Sequence, residues 1–224
     1  MGWQMTTMEA RRARMVEHHL RARDIVDPRV LAAMATVPRH EFVPAELADL
    51  AYDDVPLPIG NDQTISQPYV VAWTVQALEL AGHERVLDIG TGSGYAAAIL
   101  GVLAAEVETV ERIEELARTA AERLARLGFT NVHVHHADGS LGWPERAPYD
   151  AIAVAAGAPK PPRPLLDQLA IGGRLVVPTG HPDHQVLVRI TRRDATTFDE
   201  QQLGGVRFVP LLGAEGWPVL PTDR

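Results

Sequence analysis

Asp88 stands two residues before Gly90, and Gly90, Gly92 and Gly94 alternate with Thr91 and Ser93 at the end of an apolar run, VLDIGTGSGY. Glycine has no Cβ, so such a run turns sharply and lets a ligand lie against the main chain where a helix begins. The spacing G-x-G-x-G differs from the G-x-G-x-x-G of dinucleotide sites, which seat a pyrophosphate on the helix N-terminus. A carboxylate at Asp88 repels a phosphate and attracts a cation. S-adenosylmethionine, with its sulfonium and its ammonium, fits that preference. The same glycines also serve simply to pack a helix tightly on a sheet.

Two further acids occupy comparable places. Glu111 closes the run VETVE about 20 residues beyond Asp88, the distance at which an acid that accepts from ribose hydroxyls is expected. Glu111 also suits the start of the next helix, whose dipole favours an anion. Asp138, in HHADG, either accepts from an adenine amino group or shapes a turn with Gly139. Asp88, Gly90, Thr91, Gly92, Ser93, Gly94, Glu111, Asp138 and Gly139 are therefore the expected cofactor-binding residues.

The elements that must hold them alternate simply. Strands are expected at 85–89, 107–110, 132–136, 151–155 and 174–177, with helices at 93–103, 112–127 and 164–169 between them. Two late strands, 185–190 and 206–211, complete a set of seven. Strand–helix alternation predicts an α/β fold, a Rossmann-like doubly wound sheet, mostly parallel with an antiparallel C-terminal edge. Ahead of it lie N-terminal helices at 6–23 and from Pro28, with Asp27 as cap, and a further helix at 68–80. Between Val37 and Gln67 the prolines and Gly60 predict an irregular, functional loop. The 224 residues are expected to form one domain, with about 1–81 carrying the helices and loop and about 82–224 the cofactor-binding core.

Composition narrows the function classes. The chain is 46% hydrophobic and 22% charged, as in soluble globular proteins, and no apolar run reaches a membrane span. A net charge of -8 argues against nucleic acid or an anionic membrane as partner. Zero cysteine excludes disulfides, thiolate catalysis and sulfur-ligated metal, and fits the cytoplasm. His133, His135 and His136 raise the question of a metal, but strand alternation separates them, and none is expected. Met1, Gly2 and Thr6 fit the short N-myristoylation pattern, a match expected by chance.

The order of longer segments is more specific. PLPIGNDQTISQPYVVAWTVQAL precedes VLDIGTGSGYAAAIL, and VETVERIEELA, ADGSLGWPERAPYDAI and LLDQLAIGGRLVVPTG follow. Together they resemble the protein-L-isoaspartate O-methyltransferase family over nearly all of Val37 to Gly180, and FVPL at 208–211 is similar to the family's C-terminal strand. The resemblance implies methyl transfer from S-adenosylmethionine to the free α-carboxylate of isoaspartyl residues in damaged proteins or peptides, with repair through a succinimide. It also implies that Gln63, Thr64 and Ser66 form the catalytic loop, with the Ser66 hydroxyl orienting the acceptor. On the residues alone, Ser66 is better read as an N-cap for the helix at Pro68. Asp62 stands where the family usually has glycine, which places a charge beside the loop.

Two other functions compete. One is a carboxyl methyltransferase of the same fold acting on an aspartate of a specialised peptide or on a small acid. The other is a nucleotide-dependent oxidoreductase, for which Asp88 and the glycine spacing are wrong. A monomer is the expected state.

Overall fold

The computed structural model describes residues 7–218, so Met1, Gly2 and Thr6 lie outside the described residues. Helix α1 (Met8–Met15) is capped by the Thr7 hydroxyl and continues into a π-helical stretch, Val16–Arg21. Helix α2 (Pro28–Thr36) begins at Asp27, whose side chain accepts from the Arg29 N–H. Two short 3-10 turns, Arg39–Phe42 and Ala45–Leu50, lead into β1 (Leu57–Gly60) and β2 (Gln63–Ile65), then α3 (Pro68–Ala77).

The segment expected to be irregular thus contains a hairpin. Gly60 pairs with Gln63, so Asn61 and Asp62 form its two-residue turn, both left-handed at φ 51° and 56°. This is the turn geometry that matches strand twist, and Asn and Asp tolerate it best after glycine. Leu57 faces Ile65 across the pair, and both are buried.

The core then follows as β3 (Arg85–Ile89), α4 (Tyr95–Leu103), β4 (Glu106–Glu111), α5 (Glu114–Arg126), β5 (Val132–His136), β6 (Tyr149–Val154), α6 (Arg163–Asp167), β7 (Leu169–His181), β8 (His184–Arg192) and β9 (Phe198–Val206). The sheet order is β5-β4-β3-β6-β7-β8-β9; the first five strands run parallel, while β8 is antiparallel to both its neighbours. Alternate residues feed two apolar layers. Val86, Ala151 and Ala153 face α4 and the N-terminal helices, while Leu87, Ile89, Ile152 and Val154 face the other side. Helix α5 buries Leu116, Ala117, Ala120 and Leu124 along one stripe and matches its dipole with Glu114 and Glu115 at the start, Arg123 and Arg126 at the end.

One strand lies elsewhere than expected. The seventh strand is Phe198–Val206, not 206–211. As an edge strand it is largely exposed and polar, so it lacks the apolar pattern of a buried one. The FVPL segment instead crosses the carboxyl edge of the sheet. Gly157 N–H donates to Val209 O and Leu211 N–H to Gly157 O, each at 2.8 Å, and the Gln185 side chain brackets the Phe208 backbone.

Candidate functional site

At the carboxyl ends of β3, β4 and β6 the structure opens a pocket of about 580 Å³, within the range of small-molecule sites. The glycine turn forms its floor. Gly90 sits at φ 94° and donates to Val110 O at 2.9 Å, which carries the turn from β3 across to β4. Gly94 precedes α4 at φ 91°, a left-handed backbone that favours glycine, and it lies against Leu124 of α5. Gly94 does not line the pocket, whereas Gly90, Thr91, Gly92 and Ser93 do.

Glu111 holds the turn from the side. One carboxylate oxygen accepts from Gly92 N–H and the other from Ile113 N–H, both at 2.9 Å, and the residue is only 7% exposed at the pocket wall. Glu111 thus supports the approach to α5 while lining the pocket.

Asp88 lies deeper than its motif implies. It is fully buried beneath the turn, with one oxygen accepting from Thr109 Oγ1 at 2.7 Å and the other without a partner. Thr109 in turn meets Thr91 Oγ1 at 2.6 Å, which links the carboxylate to the glycine turn. Burial pushes its acid dissociation up to about 6, the Thr109 bond opposes this, and the Glu111 charge adds to it. A smaller apolar hollow of about 30 Å³ touches Asp88 on one side and Ser66 on the other.

Asp138 does not line the pocket. Its carboxylate accepts from Ser140 N–H (2.9 Å), Ser140 Oγ (2.7 Å) and Ala214 N–H (2.8 Å), so it caps a short turn and clamps the C-terminal segment. Its neighbour Gly139 does line the pocket, and a Cβ there would stand 2.7 Å from Ile89.

The hairpin closes the other side. Asn61, Asp62, Gln63, Thr64 and Ser66 line the same pocket, with Gln63 Nε2 donating to Asn61 O at 3.2 Å. The N-cap position of α3 is Gln67, which makes no side-chain cap, and the donor of the first turn, Tyr69 N–H, is accepted by Asp54. Ser66 is thus not the cap of this helix. Sequence reasoning did not identify Ala155, Ala156, Ile113 or Val209–Leu212 as lining residues. Val209–Leu211 were read as part of a strand, and the crossing over Gly157 depends on contacts remote in sequence.

The histidine run is separate from this site. His135 Nε2 lies 2.5 Å from Glu108, and Glu106, Glu108 and His133 bring ligand-type atoms within 4.8 Å. Arg85 and Arg146 already engage these carboxylates, so the group is a network of ion pairs. Among the described residues no helix is long and apolar enough to cross a membrane.

A seven-stranded sheet of this order, with a glycine turn and an acid-ended second strand facing one pocket, defines a Rossmann-like methyltransferase fold. The family model for protein-L-isoaspartate(D-aspartate) O-methyltransferase matches residues 10–216, and the chain belongs to that family. Among curated relatives, protein-L-isoaspartate O-methyltransferase 2 of Pelobacter propionicus is 56% identical, with 95% of each chain covered. A second, from Marinobacter nauticus, is 59% identical over 94% of this chain and 96% of its own. A solved protein-L-isoaspartate O-methyltransferase superposes with a TM-score of 0.82 at 29% identity, covering 92% of this chain and 67% of that one. A beta-aspartate methyltransferase structure from Plasmodium falciparum, in complex with S-adenosyl-L-homocysteine, gives 0.77 at 27% identity, covering 88% and 96%.

Proposed function

We propose that this chain transfers a methyl group from S-adenosylmethionine to the free α-carboxylate of L-isoaspartyl residues in damaged proteins or peptides. The observation that carries this reading is the shared pocket: the Gln63–Ser66 segment, the Gly90–Ser93 turn and Glu111 line one cavity. The residues suit the cofactor. Gly90 and Gly92 bring left-handed main chain to the pocket wall, Glu111 stands beside them for a ribose, and the unpaired Asp88 oxygen supplies a buried negative field.

S-adenosylmethionine supplies an electrophilic methyl carbon, to which the acceptor oxygen bonds as the C–S bond breaks and its electron pair passes to sulfur. An ionised carboxylate needs no general base, so the protein's contribution is placement. Ser66 donates a hydrogen bond to the acceptor carboxylate and fixes one oxygen toward the methyl; Gln63 and Thr64 hold the adjoining backbone. Such trapping of reactants supplies up to about 7–11 kcal/mol of barrier lowering, enough to make positioning the main catalytic device. The neutral ester is then attacked by the following backbone nitrogen, methanol leaves, and the succinimide hydrolyses in part to normal aspartate.

The net charge of -8 argues against nucleic acid as partner and the absence of cysteine suits the cytoplasm; the protein is taken to act as a single-domain monomer on protein or peptide acceptors. The direct test uses methyl-labelled S-adenosylmethionine and an isoaspartyl peptide. A base-labile methyl ester is expected, and Ser66→Ala lowers its rate with the affinity for S-adenosylhomocysteine within about twofold of the parent. A protein that binds S-adenosylhomocysteine yet esterifies no isoaspartyl peptide contradicts the assignment.

A further inference from the structure

Ser66 follows β2 directly and lies one residue ahead of the α3 cap position, three residues before Tyr69, near enough in sequence for its hydroxyl to be drawn to that N–H. In this chain another group does that work. The Asp54 side chain, 11% exposed, accepts from Tyr69 N–H at 3.0 Å through one oxygen. Pro68 has no N–H, so Tyr69 carries the first backbone donor of the helix that needs a partner. The other Asp54 oxygen accepts from Gln67 Nε2 at 2.7 Å and from Arg23 Nη1 at 2.5 Å. The Arg23 guanidinium also covers the Tyr69 ring, 3.8 Å from its centroid. Asp54 therefore grips the backbone of Tyr69 and the side chain of Gln67, the two positions that define how the chain leaves Ser66.

The surrounding charges complete the arrangement. A bare carboxylate behind the loop would repel an anionic acceptor. Arg23 pairs with Asp54 directly, which offsets that charge.

We infer that Asp54 is a positioning residue of the acceptor site: by capping α3 and tethering Gln67 it holds Ser66 in place and releases its hydroxyl for the acceptor carboxylate. The inference rests on the role of Ser66 given above.

A double-mutant cycle on the full-length protein tests it, with Asp54→Asn, Ser66→Ala and the pair assayed on one isoaspartyl peptide. Asp54→Asn puts an amide against the Gln67 and Arg23 donors and loosens the tether. The expected loss in kcat/KM is about 10-fold to 100-fold, the scale of a misplaced reactant, with S-adenosylhomocysteine affinity within about twofold of the parent. The double variant is expected to be no worse than Ser66→Ala alone, because Asp54 acts through Ser66. Gln67→Ala, which removes one arm of the tether and leaves the cap, is expected to lose about 3-fold to 10-fold in the same direction and serves if Asp54→Asn does not fold.

Losses that multiply in the double variant, an Asp54→Asn protein as active as its parent, or loss of cofactor affinity in step with lost stability each overturn the inference. If only Gln67→Ala is measurable, unchanged kcat/KM overturns it. A parent protein that makes no ester overturns the underlying function, a result distinct from all of these.

Discussion

Replacing Asp88 by asparagine separates the cost of this buried carboxylate from its use. In an unfolded chain the group ionises near its ordinary value of 3.8, whereas in the fold burial delays ionisation to about 6. Below about pH 4 both states hold the proton and the residue costs nothing. Between about pH 4 and 6 the unfolded chain alone releases it, so stability falls as pH rises, and above the folded value the full penalty is present. About two pK units correspond to about 3 kcal/mol. The asparagine retains an acceptor for Thr109 but carries no titration, and any fixed cost of its amide N–H is the same at every pH. The stability difference, variant minus parent, is therefore expected to grow by about 3 kcal/mol between pH 4 and 7, or about 6–12 °C in melting temperature for a chain of this size. Denaturant titrations of both ligand-free proteins across that range measure it, and the other carboxylates cancel in the difference. Parallel stability curves would falsify the assignment of a raised ionisation to Asp88. The same substitution is expected to weaken S-adenosylhomocysteine binding, because the field beneath the glycine turn is lost.

Two other substitutions probe the rest of the pocket. Glu111→Gln replaces an acceptor of two backbone N–H groups with an amide that accepts through one oxygen only, which loosens the glycine turn; S-adenosylhomocysteine affinity, measured by calorimetry, is expected to fall about 10-fold or more, because a ribose hydroxyl loses a bond to a charged acceptor of about 1.5–3 kcal/mol. Asp62→Gly relieves a left-handed residue and removes a rim charge. It is expected to raise kcat/KM up to about 5-fold for isoaspartyl peptides with a neighbouring glutamate, from about 1 kcal/mol of repulsion at high dielectric, and to leave neutral peptides unchanged. An equal effect on both peptides assigns the change to backbone relief.

The central sheet was legible because parallel strands are covered on both faces, so VLDI, TVE and AIAV read as apolar runs between helical stripes. Edge strand β9, with its exposed FDEQQ stretch, carries no such signal, and FVPL presented a better strand pattern than the segment that forms one. The β1–β2 hairpin escaped notice because its strands have four and three residues and its turn is Asn61–Asp62, without the glycine that marks a two-residue loop. Glu111 was placed by spacing alone. Nothing local distinguishes Asp54 from Asp53, and its role appears only when the fold sets it against Gln67 and Tyr69. Asp138 fitted a turn and an adenine equally in sequence; its three hydrogen bonds show the turn and the clamp on Ala214.

The most direct test of the function compares two peptides identical except that one carries an isoaspartyl and the other a normal aspartyl linkage, with methyl-labelled S-adenosylmethionine and the full-length protein. Ester formation is expected on the isoaspartyl peptide, released as methanol by mild base, with the aspartyl twin near background. Equal labelling of the two, or labelling of the aspartyl form alone, would contradict the account.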